Sequence, residues 1–166
     1  MNLVCLPEEV ERLASLREQE TLDYFKSIKK KYKSAVIDKA VHLLYAEIAP
    51  KIDCTACANC CKKQSPVFTE EEIRPILNHS GISEHENLNE LLEHDEINHH
   101  YILRKNPCFL LNKNLCSVYT LRPSSCSEYP HLNRPFFIYR NKSNMSNYKI
   151  CPIVYNVVEA LKNSLS

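Results

Sequence analysis

Four cysteines fall within eight residues, in the run Cys54-Thr55-Ala56-Cys57-Ala58-Asn59-Cys60-Cys61. A Cys-x-x-Cys spacing lets two thiolates turn back toward one point, along an edge of a tetrahedron whose metal–sulfur bonds are about 2.3 Å. Two such spacings share Cys57, so three thiols can converge. Adjacent Cys60 and Cys61 are expected to point apart and to serve different metals or different corners of a cluster. The chemistry these residues suit is the binding of a soft or borderline metal, either zinc or an iron–sulfur cluster.

Four further cysteines follow at Cys108, Cys116, Cys126 and Cys151, which makes eight. One tetrahedral ion or one four-iron cluster takes four thiolates, so eight could supply two ordinary sites or one larger polynuclear site. The spacing of Cys54, Cys57 and Cys60 also matches the run that holds a cluster in bacterial ferredoxins, which leans toward iron–sulfur. Cys151 precedes Pro152 at the start of an expected helix, where unpaired amides and the helix dipole favour a thiolate. Cys5 stands alone and is assigned no role. Lys62, Lys63 and Arg122 could offset the charge of about −2 left on a divalent ion with four thiolates. For the two lysines, an ordinary surface position is at least as good a reading.

Single cysteines are often inert core residues, but a short polar loop cannot bury four of them as a core. Disulfides need an oxidising compartment. The first residues lack a basic segment and carry Glu8 and Glu9, which argues against a secretory leader. No apolar run approaches the length of about 18 residues that spans a bilayer. The expectation is a cytoplasmic protein without membrane attachment. Its net charge of +1 gives no push toward nucleic acid. The five lysines between Lys26 and Lys33 read as a solvated helix face. Among the seven histidines, His99-His100 could bind metal, but surface positions are the better reading. One glycine in 166 residues nearly excludes a phosphate-cradling loop, and no catalytic residue can be named.

The elements that must position the thiols read as α+β, mostly helical. They comprise an N-terminal helical segment over 1–50, a cysteine-rich metal-binding domain over 51–166 with a small β-hairpin, and a C-terminal helix. Pro7 with Glu8 and Glu9 is a good helix start. Leu13, Leu16, Leu22, Phe25 and Tyr32 form a loose apolar stripe. A cleaner one runs through Val36, Ile37, Ala40, Val41, Leu44 and Ile48. One long helix or two stacked ones would satisfy this, with Pro50 turning Ala49 out of the helical region. The segment around Cys54 to Cys61 looks too polar and broken for a regular element. Thr69 with Glu72 predicts a capping box, on a helix that Pro75 would kink or end early. Ser83 with Glu86 predicts a second box, opening a helix through Leu88, Leu91 and Leu92. Asn112-Lys113-Asn114 predicts the turn of a hairpin. Phe136 to Tyr139 could form another strand. Pro152 opens a terminal helix with Ile153, Val154, Val157, Val158, Leu161 and Leu165 on one face.

Taken together, these residues resemble a family of bacterial and archaeal cysteine-cluster proteins described as a zinc- or iron-chelating domain. The matching pieces are Cys54-x2-Cys57-x2-Cys60-Cys61, Pro107-Cys108-Phe109-Leu110, Cys116-Ser117-Val118-Tyr119, Arg122-Pro123-Ser124-Ser125-Cys126, Tyr129-Pro130 and Cys151-Pro152. The resemblance implies that Cys54, Cys57, Cys60, Cys61, Cys108, Cys116, Cys126 and Cys151 are the metal ligands and that Cys5 is not. It also implies a small α+β domain. The family shares its cluster with enzymes that methylate lysines of flagellin. A cluster-dependent protein-modifying enzyme, or a redox protein, is therefore the alternative to a metal-binding module. Ala58 stands where the family often has glycine, and Asn59 is the expected source of the tight turn. Ser127 stands where a basic residue often follows the third downstream cysteine. Pro123 is expected to fix the turn that presents Cys126, with Arg122 bonding carbonyls or thiolates nearby. A protein partner docked on the amino-terminal helices is compatible with the metal-binding reading.

Overall fold

The computed structural model describes residues 2–80 and 88–165. In chain order the helices are α1 (Pro7–Leu16), α2 (Glu18–Lys31), α3 (Ser34–Ile48), α4 (Cys54–Cys57), α5 (Asn59–Lys63), α6 (Glu70–Ser80), α7 (Leu88–Leu91), α8 (Ser124–Ser127), α9 (Asn141–Tyr148) and α10 (Pro152–Ser164). The strands are β1 (Val67–Thr69), β2 (Leu92–Asp95), β3 (His100–Leu103), β4 (Leu111–Asn112) and β5 (Leu115–Cys116). The chain is mixed α+β and mostly helical, as the sequence implies. It divides into two compact units, Met1–Cys57 with Pro130–Ser166, and Ala58–Tyr129.

The first unit is helical and draws on both ends of the chain. Its central element is α10, which packs on α3, α9 and α1. Pro152 opens α10 at its first position. Ile153, Val154, Val157, Val158 and Leu161 are buried, as their spacing predicts. Burial also extends to Tyr155, Asn156 and Ala160, so the helix is enclosed on more than one face. Asn156 fills its bonds by capturing the Val4 backbone, accepting from its N–H at 3.0 Å and donating to its carbonyl at 2.8 Å. The first fifty residues are helical, but in three pieces. The chain breaks at Arg17 (φ −104°, ψ 10°), and again where Tyr32 and Lys33 are extended. The stripe also differs. Leu16 is 73% exposed, while Val10 and Ala14 face the core; on α2 the buried residues are Thr21, Phe25 and Ile28. Ala49 stays right-handed helical (φ −57°, ψ −41°). The chain tightens into a 3-10 turn at Ala49–Lys51, so Pro50 ends α3 without turning its neighbour away.

Phe136 to Tyr139 is not a strand. Phe136 is left-handed (φ 60°) and Phe137–Tyr139 form a 3-10 turn. Asp38, itself buried in α3, decides this: its carboxylate accepts the N–H of Phe136 at 2.9 Å and of Phe137 at 2.8 Å. A strand would need those amides for a neighbour.

The second unit carries an antiparallel sheet of order β1-β3-β2 and a β4-β5 hairpin. Its core is Phe68, Ile73, Ile76, Leu77, Leu92, Leu103, Leu110 and Val118. The capping box forms as expected, with Glu72 N–H donating to Thr69 Oγ1 (3.2 Å) and Thr69 N–H to Glu72 Oε2 (3.0 Å). Pro75 neither ends nor shortens α6, which runs on to Ser80. Proline removes one hydrogen bond, and burial of Ile73, Ile76 and Leu77 on either side outweighs that loss. The box at Ser83 and Glu86 lies outside the described residues. The helix expected after it stops at Leu91, because Leu92 enters β2 opposite Leu103. The predicted hairpin pairs Leu111 with Cys116 and Asn112 with Leu115, turning through Lys113 at φ 55°.

Candidate metal centre

The segment from Cys54 to Cys61 is more regular than its composition suggests. Asp53 starts α4, its Oδ1 accepting Thr55 N–H (2.8 Å) and Thr55 Oγ1–H (2.6 Å). Ala58 then turns left-handed (φ 48°, ψ 16°) and α5 follows from Asn59. Ala58, not Asn59, makes the tight turn. Glycine adopts this conformation without strain and alanine does not; burial of Ala58 to 3% exposure helps to hold it there.

The eight candidate ligands fall into two groups. Cys54, Cys57 and Cys151 belong to the first unit, and Cys60, Cys61, Cys108, Cys116 and Cys126 to the second. In the first unit, Cys151 is buried at the N-cap of α10, as its position before Pro152 predicts. The Cys54 and Cys151 sulfurs both lie close enough to Tyr45 to add to the effect of burial, which pushes its phenol above the ordinary value.

In the second unit, Cys61 ends a chain of local ties. Its carbonyl accepts the N–H of Cys108 at 2.9 Å. Cys108 leads into the hairpin, since Leu111 N–H donates to its carbonyl (2.9 Å), and Leu111 pairs with Cys116. Cys126 is presented by α8, a single turn that Pro123 precedes in extended conformation (ψ 160°). The turn is fastened from outside. Ser124 N–H donates to Glu72 Oε1 (2.8 Å), and Ser125 Oγ donates to the Val67 carbonyl (2.7 Å). Glu72 thus serves both the cap of α6 and the mount of Cys126. The cap is legible in the sequence; the second role, 52 residues away, is not.

Cys60 and Cys61 do not point apart, because their sulfurs are 4.0 Å from one another. Two thiolates on one tetrahedral ion are about 3.8 Å apart for 2.3 Å bonds, so the pair sits near that spacing. The hydrogen bond with Cys60 acts most strongly, and Arg122 and Lys62 add positive charge; together these outweigh burial and hold the Cys61 thiol down at about 6. Arg122 is itself fixed, stacked 3.6 Å over the Tyr119 ring with Nε donating to the Tyr119 carbonyl at 2.9 Å. This is the carbonyl-bonding role expected of it. Cys108 and Cys116 pack against the apolar core. Burial raises Cys108 and Cys116, and pushes Cys126 up to about 11, with neighbouring thiols adding to each.

None of the nine cysteines is joined in a disulfide. Among the described residues, no three Cys, His, Asp or Glu side chains are drawn together as tightly as around a bound ion. The donor chemistry nevertheless fits zinc or iron. Soft sulfur predominates, the second unit alone supplies more than the four thiolates a tetrahedral centre takes, and fixed cations stand beside them. Cys5 is exposed. The lysines of α2 lie on its exposed side, with Lys29, Lys30 and Lys31 in the last turn, where positive charge suits the dipole.

Among the described residues, no helix is long and apolar enough to cross a membrane. No curated protein and no solved structure matches the chain. One family model does, over residues 53–152, which is more than half of the chain. The matched stretch runs from Asp53, which starts α4, to Pro152, which starts α10, and so contains all eight clustered cysteines. Metal binding is the general activity this supports, and the chain belongs to the CxxCxxCC family, described as a "putative zinc- or iron-chelating domain".

Proposed function

We propose that this protein is a cytoplasmic metal-binding module that holds zinc or an iron–sulfur cluster through Cys54, Cys57, Cys60, Cys61, Cys108, Cys116, Cys126 and Cys151. The observation that carries the reading is that Cys61, Cys108, Cys116 and Cys126, from four separate elements or turns, lie within electrostatic reach of one another, with the cation Arg122 beside Cys61 and Cys116. A set of cores and surfaces chosen for packing alone has no reason to collect thiols against a fixed guanidinium. A metal centre with four thiolates carries net negative charge, which such a cation offsets. Binding displaces the thiol protons to solvent, so affinity rises with pH until the thiols are ionised.

The test is elemental analysis, with acid-labile sulfide and an absorption spectrum, on protein purified without oxygen. Stoichiometric zinc in a colourless protein supports a structural centre. Iron with sulfide and broad visible absorption supports a cluster, and with it a redox or protein-modifying role. Reduced protein that takes up neither metal overturns the reading.

A further inference from the structure

The net charge of +1 conceals an uneven distribution. Residues 24–39 and 130–149, both in the first unit, hold ten lysines and arginines and one acid, Asp38. Where α2 and the 3-10 turn Phe137–Tyr139 meet, two aromatic rings stand among these cations. Phe136 is 60% exposed and Tyr139 64%, and their ring centroids are 6.4 Å apart. Lys29 Nζ lies 4.6 Å over the Tyr139 ring. Arg140 Nη2 donates to the Arg134 carbonyl at 2.9 Å, and burial, followed by the charge of Arg134, lowers the Arg140 guanidinium from its ordinary value. The acid that faces Arg140 is Asp38, which is buried and accepts the amides of Phe136 and Phe137.

A single exposed aromatic residue is ordinary surface, but this pair is rigidly mounted. Phe136 takes the left-handed backbone conformation (φ 60°), which crowds the Cβ of any residue but glycine. The turn beneath it is clamped: besides the two bonds to Asp38, Asn144 Nδ2 donates to the Phe137 carbonyl at 2.7 Å. Phe137 and Ile138 are buried, with Phe137 edge-on to Phe25 at 5.6 Å. The turn therefore anchors its middle in the core and presents a ring to solvent at either end. Stability alone would favour glycine at 136 and a polar residue at 139, whereas rigid exposed aromatics beside arginine are what the centre of an interface presents. We propose that Phe136 and Tyr139, with Lys29, Arg134 and Arg140, form a docking surface for an acidic peptide segment of a partner protein. Apolar side chains of the segment lie on the two rings, and its carboxylates meet the three cations. Charge complementarity sets the sign of the partner. Ring geometry favours a peptide over a single-stranded nucleic acid: the rings are tilted by 66° and Lys29 covers one face of Tyr139, so they offer no parallel faces for successive bases. The surface shares no residue with the cysteine set, so it stands or falls apart from the metal-binding reading.

The experiment titrates reduced full-length protein against a fluorescein-labelled copolymer of glutamate and tyrosine, read by fluorescence anisotropy at low and at high salt. Labelled polyglutamate and oligothymidylate are the comparison probes. The variants are Phe136→Gly, Tyr139→Ala, Lys29→Glu and, at an exposed apolar residue of α1, Leu16→Ala, with circular dichroism as a check on folding. Glycine suits the left-handed turn, so Phe136→Gly removes the ring and leaves the mount. The parent is expected to bind the copolymer more tightly than either comparison probe. Phe136→Gly and Tyr139→Ala should each weaken that binding about tenfold. Lys29→Glu should weaken it chiefly at low salt, and Leu16→Ala should leave it unchanged. A parent that does not bind the copolymer, or folded ring variants that bind it as the parent does, overturns the proposal. Polyglutamate bound as tightly as the copolymer overturns the role of the rings. Tighter binding of oligothymidylate, lost in the same variants, overturns the peptide in favour of nucleic acid. Should a ring variant fail to fold, Lys29→Glu supplies the decision, because Lys29 is exposed on α2, and unchanged low-salt affinity in that variant refutes the surface.

Discussion

Replacing Asp38 with alanine should destabilise the protein more than its short side chain suggests. The residue is 9% exposed, and its two oxygens accept the amides of Phe136 and Phe137 at 2.9 and 2.8 Å, almost a hundred residues along the chain. Hydrogen bonds to a charged group contribute about 1.5–3 kcal/mol each. Removing the carboxylate also relieves its own desolvation, which offsets part of that sum. The Phe136 amide lies in a partly buried setting and gains access to water, whereas the Phe137 amide is buried and stays orphaned. The net loss is then about 2–4 kcal/mol. For a chain of this length each kcal/mol moves Tm by about 2–4 °C, so Tm should fall by about 5–15 °C. An asparagine in place of Asp38 keeps one acceptor but turns an NH2 group toward the other amide, so Asp38→Asn should fall between parent and Asp38→Ala. The assay is urea and thermal unfolding of reduced protein with chelator present, because bound metal would add its own linkage to stability. Amide exchange at Phe136 and Phe137 is the second readout, and both should lose protection. An Asp38→Ala protein within about 0.5 kcal/mol of the parent would refute the account, since that is the scatter of unimportant surface changes.

Three further outcomes are expected. Iodoacetamide at pH 7 should label Cys61 of the metal-free protein well before Cys126. A thiol at about 6 is about nine-tenths ionised there, against about one part in ten thousand at 11; Arg122→Ala should slow Cys61 as read by peptide mass spectrometry. Glu72→Ala should weaken Co²⁺ affinity at least several-fold, because it frees Ser124 and the turn that presents Cys126, while costing about 1 kcal/mol in the lost cap. Burial pushes Glu159 up, but bonds from Lys162, Tyr148 and Arg17 prevail and hold its carboxyl below the ordinary 4.5. A depressed carboxyl stabilises fully above the ordinary value and loses that contribution as pH falls through the folded one. Glu159→Gln should therefore flatten the fall in stability below about pH 4.5 in acid unfolding curves.

What the sequence by itself determined was local. Thr69 and Glu72 make a cap because both partners lie within one helical turn. Asn112 to Asn114 close a hairpin because the strands they join are adjacent. Pro152 opens α10 because its ring suits the first turn, and the apolar spacing behind it buries one face. The inventory of thiols, and with it the family, is also a property of the chain alone. Where short-range signals erred, a distant partner had intervened: Leu103 drew Leu92 into a strand, and Asp38 took the amides that a strand at Phe136 would have used. The tertiary structure alone decided which thiols are neighbours. The bond from neighbouring Cys60 does most to lower Cys61, yet Arg122, about sixty residues on, adds its charge only because the fold brings it there. Cys126 is raised by the same fold that lowers Cys61, because burial and charge act through space and fall off over a few ångströms. Residue type fixes which chemistry a side chain can do, and packing fixes the dielectric and the neighbours that decide whether it does it.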